Sequence, residues 1–280
     1  MLNLLLFIWR GQLRIFLSSF MARKKKFERQ LIRKRNRIEK RGQTMAFNAI
    51  KKQYKAVFDV VGIYPAEQLK GSIGYLVTQS PITEFFMNYY PIFSDVGVMY
   101  RNDAIQQKAT EDQLWDDIFS EQLRSYGLTE AGSRITSITE TTETFIRGAV
   151  ESAVTQAAEE GLGIDKTSRL IRKHLQDSLG DIGRSRAKMI AQTEMITASN
   201  QASQYGIEST GLEYRKFWST SGLKNIRDSH IFAEENYPNG ISKDAMFDMG
   251  NGNVMRFVGD PQGVAGEVIN CRCTTLYEVL

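Results

Sequence analysis

The residues best suited to chemistry lie near the C-terminus. Cys271 and Cys273 are the only two cysteines, and His230 is one of two histidines. In a strand, residues i and i+2 face one side, so both sulfurs of Cys271-Arg272-Cys273 could point at one ion, with His230 as a third ligand. Zinc favours four sulfur or nitrogen ligands; this chain offers three obvious ones and no C-x-x-C pair. The alternative is two reduced thiols packed as small apolar groups. A bridge across one intervening residue would be strained, and two cysteines cannot frame a disulfide-stapled fold. The expectation is no cofactor, reduced thiols and an intracellular origin, with zinc on His230, Cys271 and Cys273 as the alternative.

The other chemical groups read as structural. Asp228-Ser229-His230 puts a carboxylate, a hydroxyl and an imidazole together, but adjacency in sequence is not triad geometry. Asp228 is better explained as the cap of a helix starting at Ser229. His174, beside Arg172 and Lys173, reads as a surface residue. Glu194 has Thr193 beside it and Arg186 and Lys188 nearby, which suggests a buried latch between a carboxylate and an arginine. No partner acid or nucleophile declares itself for acid–base work. The glycines between Gly250 and Gly266 match no phosphate-loop pattern. Gly259-Asp260-Pro261 reads as a turn whose carboxylate receives the amides that follow. No catalytic residue is expected.

The elements that must position these groups are mostly helical. No proline occurs between Ile92 and Tyr237, which favours long helices. The apolar spacing predicts one over about 103–126, with Ile105, Leu114, Trp115, Ile118, Phe119 and Leu123 inward and Gly127 as its stop. A second runs over about 130–160 and ends at Gly161, though its threonine run is poor helix material. A third covers 166–178, capped by Asp165, and a fourth covers about 183–209. Earlier, Pro65 and Pro81 could each open a helix, the latter capped by Ser80. Phe85, Phe86, Tyr89, Tyr90, Phe93 and Tyr100 read as core or a subunit interface. After Gly211 the pattern turns strand-like, at 212–220, 254–258 and 271–279, with a hairpin signal at Asn251-Gly252. The fold class is α+β: a mostly α-helical body with a small antiparallel-sheet C-terminal domain.

Charge is unevenly spread along the chain. The net is +4, yet Arg23–Arg41 holds eleven Lys/Arg and two acids, a net of +9, and the residues from 42 onward sum to about −7. Residues 23–41 read as a basic helix, with Phe27, Leu31, Ile32 and Ile38 on one side. It is either a solvated arm or a contact for nucleic acid through Arg23, Lys24, Lys25, Lys26, Arg29, Arg33, Lys34, Arg35 and Arg37. Residues 1–22 are apolar but interrupted by Arg10 and Arg14, too short a run for a membrane helix and with its charge after the apolar stretch rather than before it. They read as an over-called start, with Met21 as the initiator, or as a short amphipathic anchor. The expected organisation is this leader, a basic arm over 23–42, a helical region over 43–160 and a C-terminal domain over 161–280.

Taken in order, Arg186-Ala187-x-x-Ile190-Ala191-x-Thr193-Glu194, Trp218 with Ser219-Thr220, Arg227-Asp228-Ser229-His230, Gly259-Asp260-Pro261 and Ile269-Asn270-Cys271-Arg272-Cys273 form a pattern. It resembles the phage head morphogenesis (Mu protein F-like) domain of minor head proteins, over roughly residues 160–280. The resemblance marks Arg186, Thr193, Glu194, Trp218, Asp228, His230, Asp260, Asn270, Cys271 and Cys273 as the structural motif. It implies a structural protein of a tailed phage or prophage that sits inside the head at the portal vertex. Its implied partners are the portal protein, capsid or scaffold proteins and double-stranded DNA, with several copies per particle. Its implied place is the virion interior, and the host cytoplasm during assembly. The family has no agreed enzymatic activity. Many members carry a C-x-x-C where this chain has Arg227 to His230, and a histidine where it has Gly266-Glu267-Val268, so the ligand set here is shorter. The competing readings are a Mu F-like domain fused to a nuclease or toxin-like enzyme, and a zinc-stabilised binding module. For the first, residues 43–160 offer no histidine, no cysteine and no clear acid cluster, since Asp116-Asp117 reads as a solvated helix face.

Overall fold

A computed structural model describes the backbone of residues 2–105, 112–130, 132–220 and 225–280, and within these the side chains from Lys26 onward. The first element is a long helix, α1 (Leu2–Phe58). Its inward residues recur every three to four positions, through Phe27, Leu31, Arg35, the half-buried Ile38, Gly42, Ala46, Ala49, Gln53 and Val57. That is the period of one helical face. The helix passes through residues 42 and 43 without a break. Among the described residues no helix is long and apolar enough to cross a membrane.

Short helices follow: α2 (Ala66–Leu76), α3 (Ser80–Tyr89), a 3-10 turn at Tyr90–Phe93, and α4 (Ser94–Ile105). Pro65 is the N-cap of α2 rather than its first residue, and Pro81 sits in the first turn of α3. Ser80 does not cap α3, because it is already the first helical residue. The aromatic cluster is core: Phe85 stacks on Tyr89, Phe86 on Tyr90, and Tyr89 meets Phe93 edge to face. Such offset and edge contacts suit the ring quadrupoles.

The helix expected over 103–126 is two helices. α4 ends at Ile105 and α5 spans Asp112–Thr129. Gly127 is not a stop but an interior position of α5, buried where an added Cβ would press on the Tyr90 ring at 3.2 Å. Leu114 faces out, with 54% of its surface exposed, while Phe119 and Leu123 face in. α6 (Gly132–Glu159) tolerates its threonine run because Thr136, Thr139, Thr141, Thr142 and Thr144 each donate a hydroxyl to the carbonyl four residues back. These bonds give each hydroxyl a partner inside the helix. Gly161, at φ +62°, terminates it. α7 (Ile164–Ser178) starts before Asp165, which therefore sits in the first turn; Gly163 is the N-cap. His174 is half-buried and bonded to Gln156 at 3.1 Å.

A single π turn (Leu179–Gly183) leads into α8 (Arg184–Glu208), the helix at the centre of the molecule. After it come β1 (Tyr214–Ser219), α9 (Asp228–Asn236), β2 (Ile241–Ser242), β3 (Phe247–Asp248), β4 (Val254–Met255), α10 (Ala265–Val268) and β5 (Thr274–Val279). The strands form an antiparallel sheet in the order β2-β1-β5 and a separate β3-β4 hairpin around Asn251-Gly252. This is a helical body with a small antiparallel sheet near the C-terminus. Two strands are shorter than their composition suggests: residues 271–273 lead into β5 as loop, and only Val254–Met255 pair.

α4 and α8 touch backbone to backbone. A Cβ on Gly206 would lie 2.2 Å from the carbonyl oxygen of Gly97, and one on Gly97 would meet Ala202 O at 2.9 Å. Gly148, by contrast, has open space where a Cβ would go. Gly206→Ala should therefore destabilise the protein by about 3 kcal/mol, as overpacking does. Gly148→Ala should stabilise it by about 0.5–1 kcal/mol through the helix preference for alanine. Urea denaturation of the two variants reads both signs.

Candidate functional site

α8 is buried almost all round, although it carries Gln192, Thr193, Glu194, Thr197, Ser199, Asn200, Gln201 and Ser203 on buried positions. Buried polar groups demand partners, and here the partners come from distant loops. Thr193 Oγ1 accepts the Asn270 amide at 3.2 Å, and Gln192 Nε2 donates to the Asn270 carbonyl at 3.1 Å. Thr197 donates to Gly259 O at 2.7 Å, and Asn200 Nδ2 to Val258 O at 2.9 Å. Arg186 donates to Thr142 Oγ1 at 2.9 Å and lies over the Phe145 ring, tying α8 to α6.

Glu194 is the latch expected of it, but with a different arginine. Its Oε2 accepts from Tyr90 Oη at 2.6 Å and pairs with Arg134 Nη2 at 2.9 Å. Arg186 and Lys188 are close in sequence only. Burial pushes the Glu194 carboxyl up, with Arg134 and Tyr90 acting against it. Arg134 lies 60 positions upstream on another helix, a pairing that sequence spacing does not signal.

The left-handed turn at Asn270, φ +58°, aims the last loop back at α9. Cys271 and Cys273 then face His230, and all three are buried. His230 Nδ1 lies 3.4 Å from Cys273 Sγ and 3.7 Å from Cys271 Sγ. The three ligand atoms lie within 4.8 Å of one another. The Cys273 amide donates to Cys271 Sγ at 3.4 Å. The hydrogen bond from the Cys273 thiol, and then His230, hold the Cys271 thiol well below a free cysteine; the same bond and burial push Cys273 up. Trp218 closes one side, its ring 5.0 Å from the imidazole and 5.3 Å from Phe247. Behind the imidazole, Nε2 lies 3.0 Å from Glu267 Oε2, off the line of a good hydrogen bond. Glu267 is itself fixed by Ser229 at 2.8 Å and Asn251 at 2.6 Å. Against the upward pull of burial, these bonds hold its carboxyl below the usual range. The sequence marked Glu267 only within Gly266-Glu267-Val268, where many members of the resembled family carry a histidine; the four-residue helix α10 brings its carboxylate here.

The basic segment is divided between core and solvent. Arg35 cannot reach DNA, because it is 3% exposed and bonded to Ser199 Oγ at 2.6 Å, Thr274 Oγ1 at 2.6 Å and Asn200 Oδ1 at 2.9 Å. Burial lowers its pKa to about 10, with Tyr100, Cys271 and Cys273 holding it up. Lys34 pairs with Asp95. Lys26, Arg29, Arg33 and Arg37 are exposed, and so are Lys40 and Arg41, which the sequence reading left out. The four-residue spacing of Arg29, Arg33, Arg37 and Arg41 was the available signal, since it marks one helical face. The side chains of Arg23, Lys24 and Lys25 lie outside the described residues.

Residues 148–276 match the family described as Phage Mu protein F like protein. This stretch is a Mu F-like domain. Comparisons with curated proteins and with solved structures return no match. The Mu F-like stretch starts within α6 and ends in β5, so Arg35, Tyr90 and Arg134, which satisfy its buried polar groups, come from outside it. The motif residues divide by task within it. Thr193 and Asn270 pin the last loop to α8, and Trp218, His230, Cys271 and Cys273 form the cluster. Asp228 does not cap α9 through its side chain; it is the first helical residue and exposed, behind an N-cap at Arg227.

Asp260 organises the turn before the cluster. Its carboxylate accepts from Arg256 Nε at 2.9 Å, Arg256 Nη2 at 2.6 Å, the Arg256 amide at 3.0 Å and the Gln262 amide at 3.0 Å. Burial alone would raise this carboxyl, but the bonds outweigh it and hold it below its ordinary value of 3.8. A depressed carboxyl stabilises the fold above the unfolded value and loses that contribution as pH falls through the folded one. Asp260→Asn should therefore cost about 1–3 kcal/mol at pH 7, and progressively less as pH falls below 3.8. Denaturation as a function of pH reads the convergence of the two proteins.

Proposed function

We propose that this protein is a minor head protein acting in head morphogenesis at the portal vertex, and that the exposed face of α1 contacts packaged double-stranded DNA. The Mu F-like match carries the first part, since the family is one of phage head proteins. The basic face carries the second. Arg29, Arg33, Arg37 and Arg41 follow one another at four-residue intervals with Lys26 and Lys40 beside them, all exposed. At 1.5 Å per residue the four arginines span about 18 Å, enough to follow several phosphates. The opposite face of the same helix is buried against α8, which holds the stripe outward.

On this reading the protein works by binding and not by catalysis. Each buried carboxylate, Glu194, Asp260 and Glu267, is taken up by structural bonds. Asp117 is exposed and accepts from Gln113 at 3.0 Å, as a solvated helix face requires, whereas Asp116 is half-buried and accepts from Ser94 of α4 at 2.7 Å. The partners are the portal protein, neighbouring capsid or scaffold proteins and DNA. The protein is made in the host cytoplasm and ends inside the virion in several copies.

The quadruple change Arg29→Gln, Arg33→Gln, Arg37→Gln, Arg41→Gln should weaken binding to duplex DNA without loss of helicity. The slope of log K against log salt should shrink by about 0.9 for each phosphate contact removed. Equal binding and an equal slope would remove DNA from the proposal. Affinity pull-down with the portal protein of the same genome tests the vertex: co-purification of both proteins is expected, and its absence from assembled heads would sink that part.

A further inference from the structure

We infer that His230, Cys271 and Cys273 form a structural zinc site, with Glu267 as the carboxylate that orients the histidine. Geometry carries this. Zinc binds nitrogen at 2.0–2.1 Å and thiolate at about 2.3 Å, so at tetrahedral angles an N···S edge measures about 3.6 Å. The two edges here are 3.4 and 3.7 Å. One ring nitrogen has one lone pair or one proton, so it can hydrogen-bond well to only one sulfur; a metal between them uses both. Two soft sulfurs and an imidazole select zinc among the common divalent ions.

The surroundings are those of a ligand set already held in place. Metal-bound histidines pass their other N–H to a carboxylate, which fixes tautomer and ring plane. Glu267 Oε2 stands 3.0 Å from His230 Nε2, and Ser229 and Asn251 hold that carboxylate. Nδ1 is the ring nitrogen that faces the sulfurs. The Cys273 amide points at Cys271 Sγ, a bond that stabilises a thiolate. Among the described residues no further His, Cys, Asp or Glu joins the cluster, so this set supplies three of the four ligands of a tetrahedral zinc. The ligands come from α9 and from the loop entering β5. Zinc would thus fasten α9 to the last strand.

Full-length protein purified without chelator and analysed by mass spectrometry for metals should carry about one zinc per chain. Cobalt substituted for zinc should give tetrahedral d–d bands and a thiolate-to-cobalt charge-transfer band. Cys271→Ser should remove that band or greatly weaken it. Should that variant fail to fold, Glu267→Gln, which keeps all three ligands, should still lower zinc affinity about 10–100-fold in a chelator competition. Folded wild-type protein that neither retains zinc nor develops the thiolate band with cobalt overturns the site. A normal affinity in Glu267→Gln overturns the role given to the carboxylate.

Discussion

The structure depends on one constraint: a helix rich in polar side chains runs through the middle of the protein, and each of those groups must find a partner away from water. α8 could not lie buried among hydrocarbon alone, because an unpaired buried amide or hydroxyl costs about 1–3 kcal/mol. Its partners are backbone carbonyls and amides of the loops at 258–259 and 270, the hydroxyls of Tyr90 and Thr142, and the guanidinium groups of Arg35 and Arg134. The helix therefore selects where the surrounding loops can lie. An apolar helix in its place would tolerate many arrangements, whereas this one accepts few.

That selection explains how a small, irregular C-terminal region holds its shape. The three-stranded sheet and the hairpin are short. The turns between them are fixed by directed bonds instead, as at Gly259, whose left-handed backbone at φ +79° fits against Thr197, and at Asn270, held on both its amide and its carbonyl. Loops fixed at that many points can present three ligand-type side chains in a consistent arrangement. Lys216 shows the same principle on β1: it is 3% exposed and donates to Ala245 O at 2.7 Å and Arg256 O at 2.9 Å, and burial lowers its pKa to about 8.

Much of the architecture was legible in the sequence, and the exceptions have physical causes. α6 and α8 were readable because their inward positions or their freedom from breakers extend over many turns. The break between α4 and α5 was not, because the apolar positions on either side continue at helical spacing. Gly127 misled because a glycine that ends a helix and one that makes room for a ring look alike until the Tyr90 ring is placed. Glu194 was readable as a latch from its type and setting, but Arg134 was not, since pairing across 60 residues leaves no local trace. The cysteines and His230 were visible as potential ligands; their convergence was not, because it depends on the left-handed turn at Asn270. Arg35 is the sharpest case. In sequence it is one basic residue among eleven, and only the three-residue and four-residue rhythm of α1 puts it on the inside.

Arg35 also ties the order of folding to the order of synthesis. Its acceptors include Thr274, 239 residues further along the chain, and Ser199 and Asn200 in between. A ribosome releases these groups long after α1 has emerged. Until then the inner face of α1 carries an unsatisfied cation beside Phe27 and Leu31, and the helix has no settled place to dock. Contacts of such long sequence separation form late and slowly. The nascent chain therefore carries a basic helix without its permanent seat until α8 has emerged, and Thr274 of the last strand completes the acceptors around Arg35. A chain cut short before β5 would lose one acceptor of Arg35 as well as its final strand, while Ser199 and Asn200 of α8 remained.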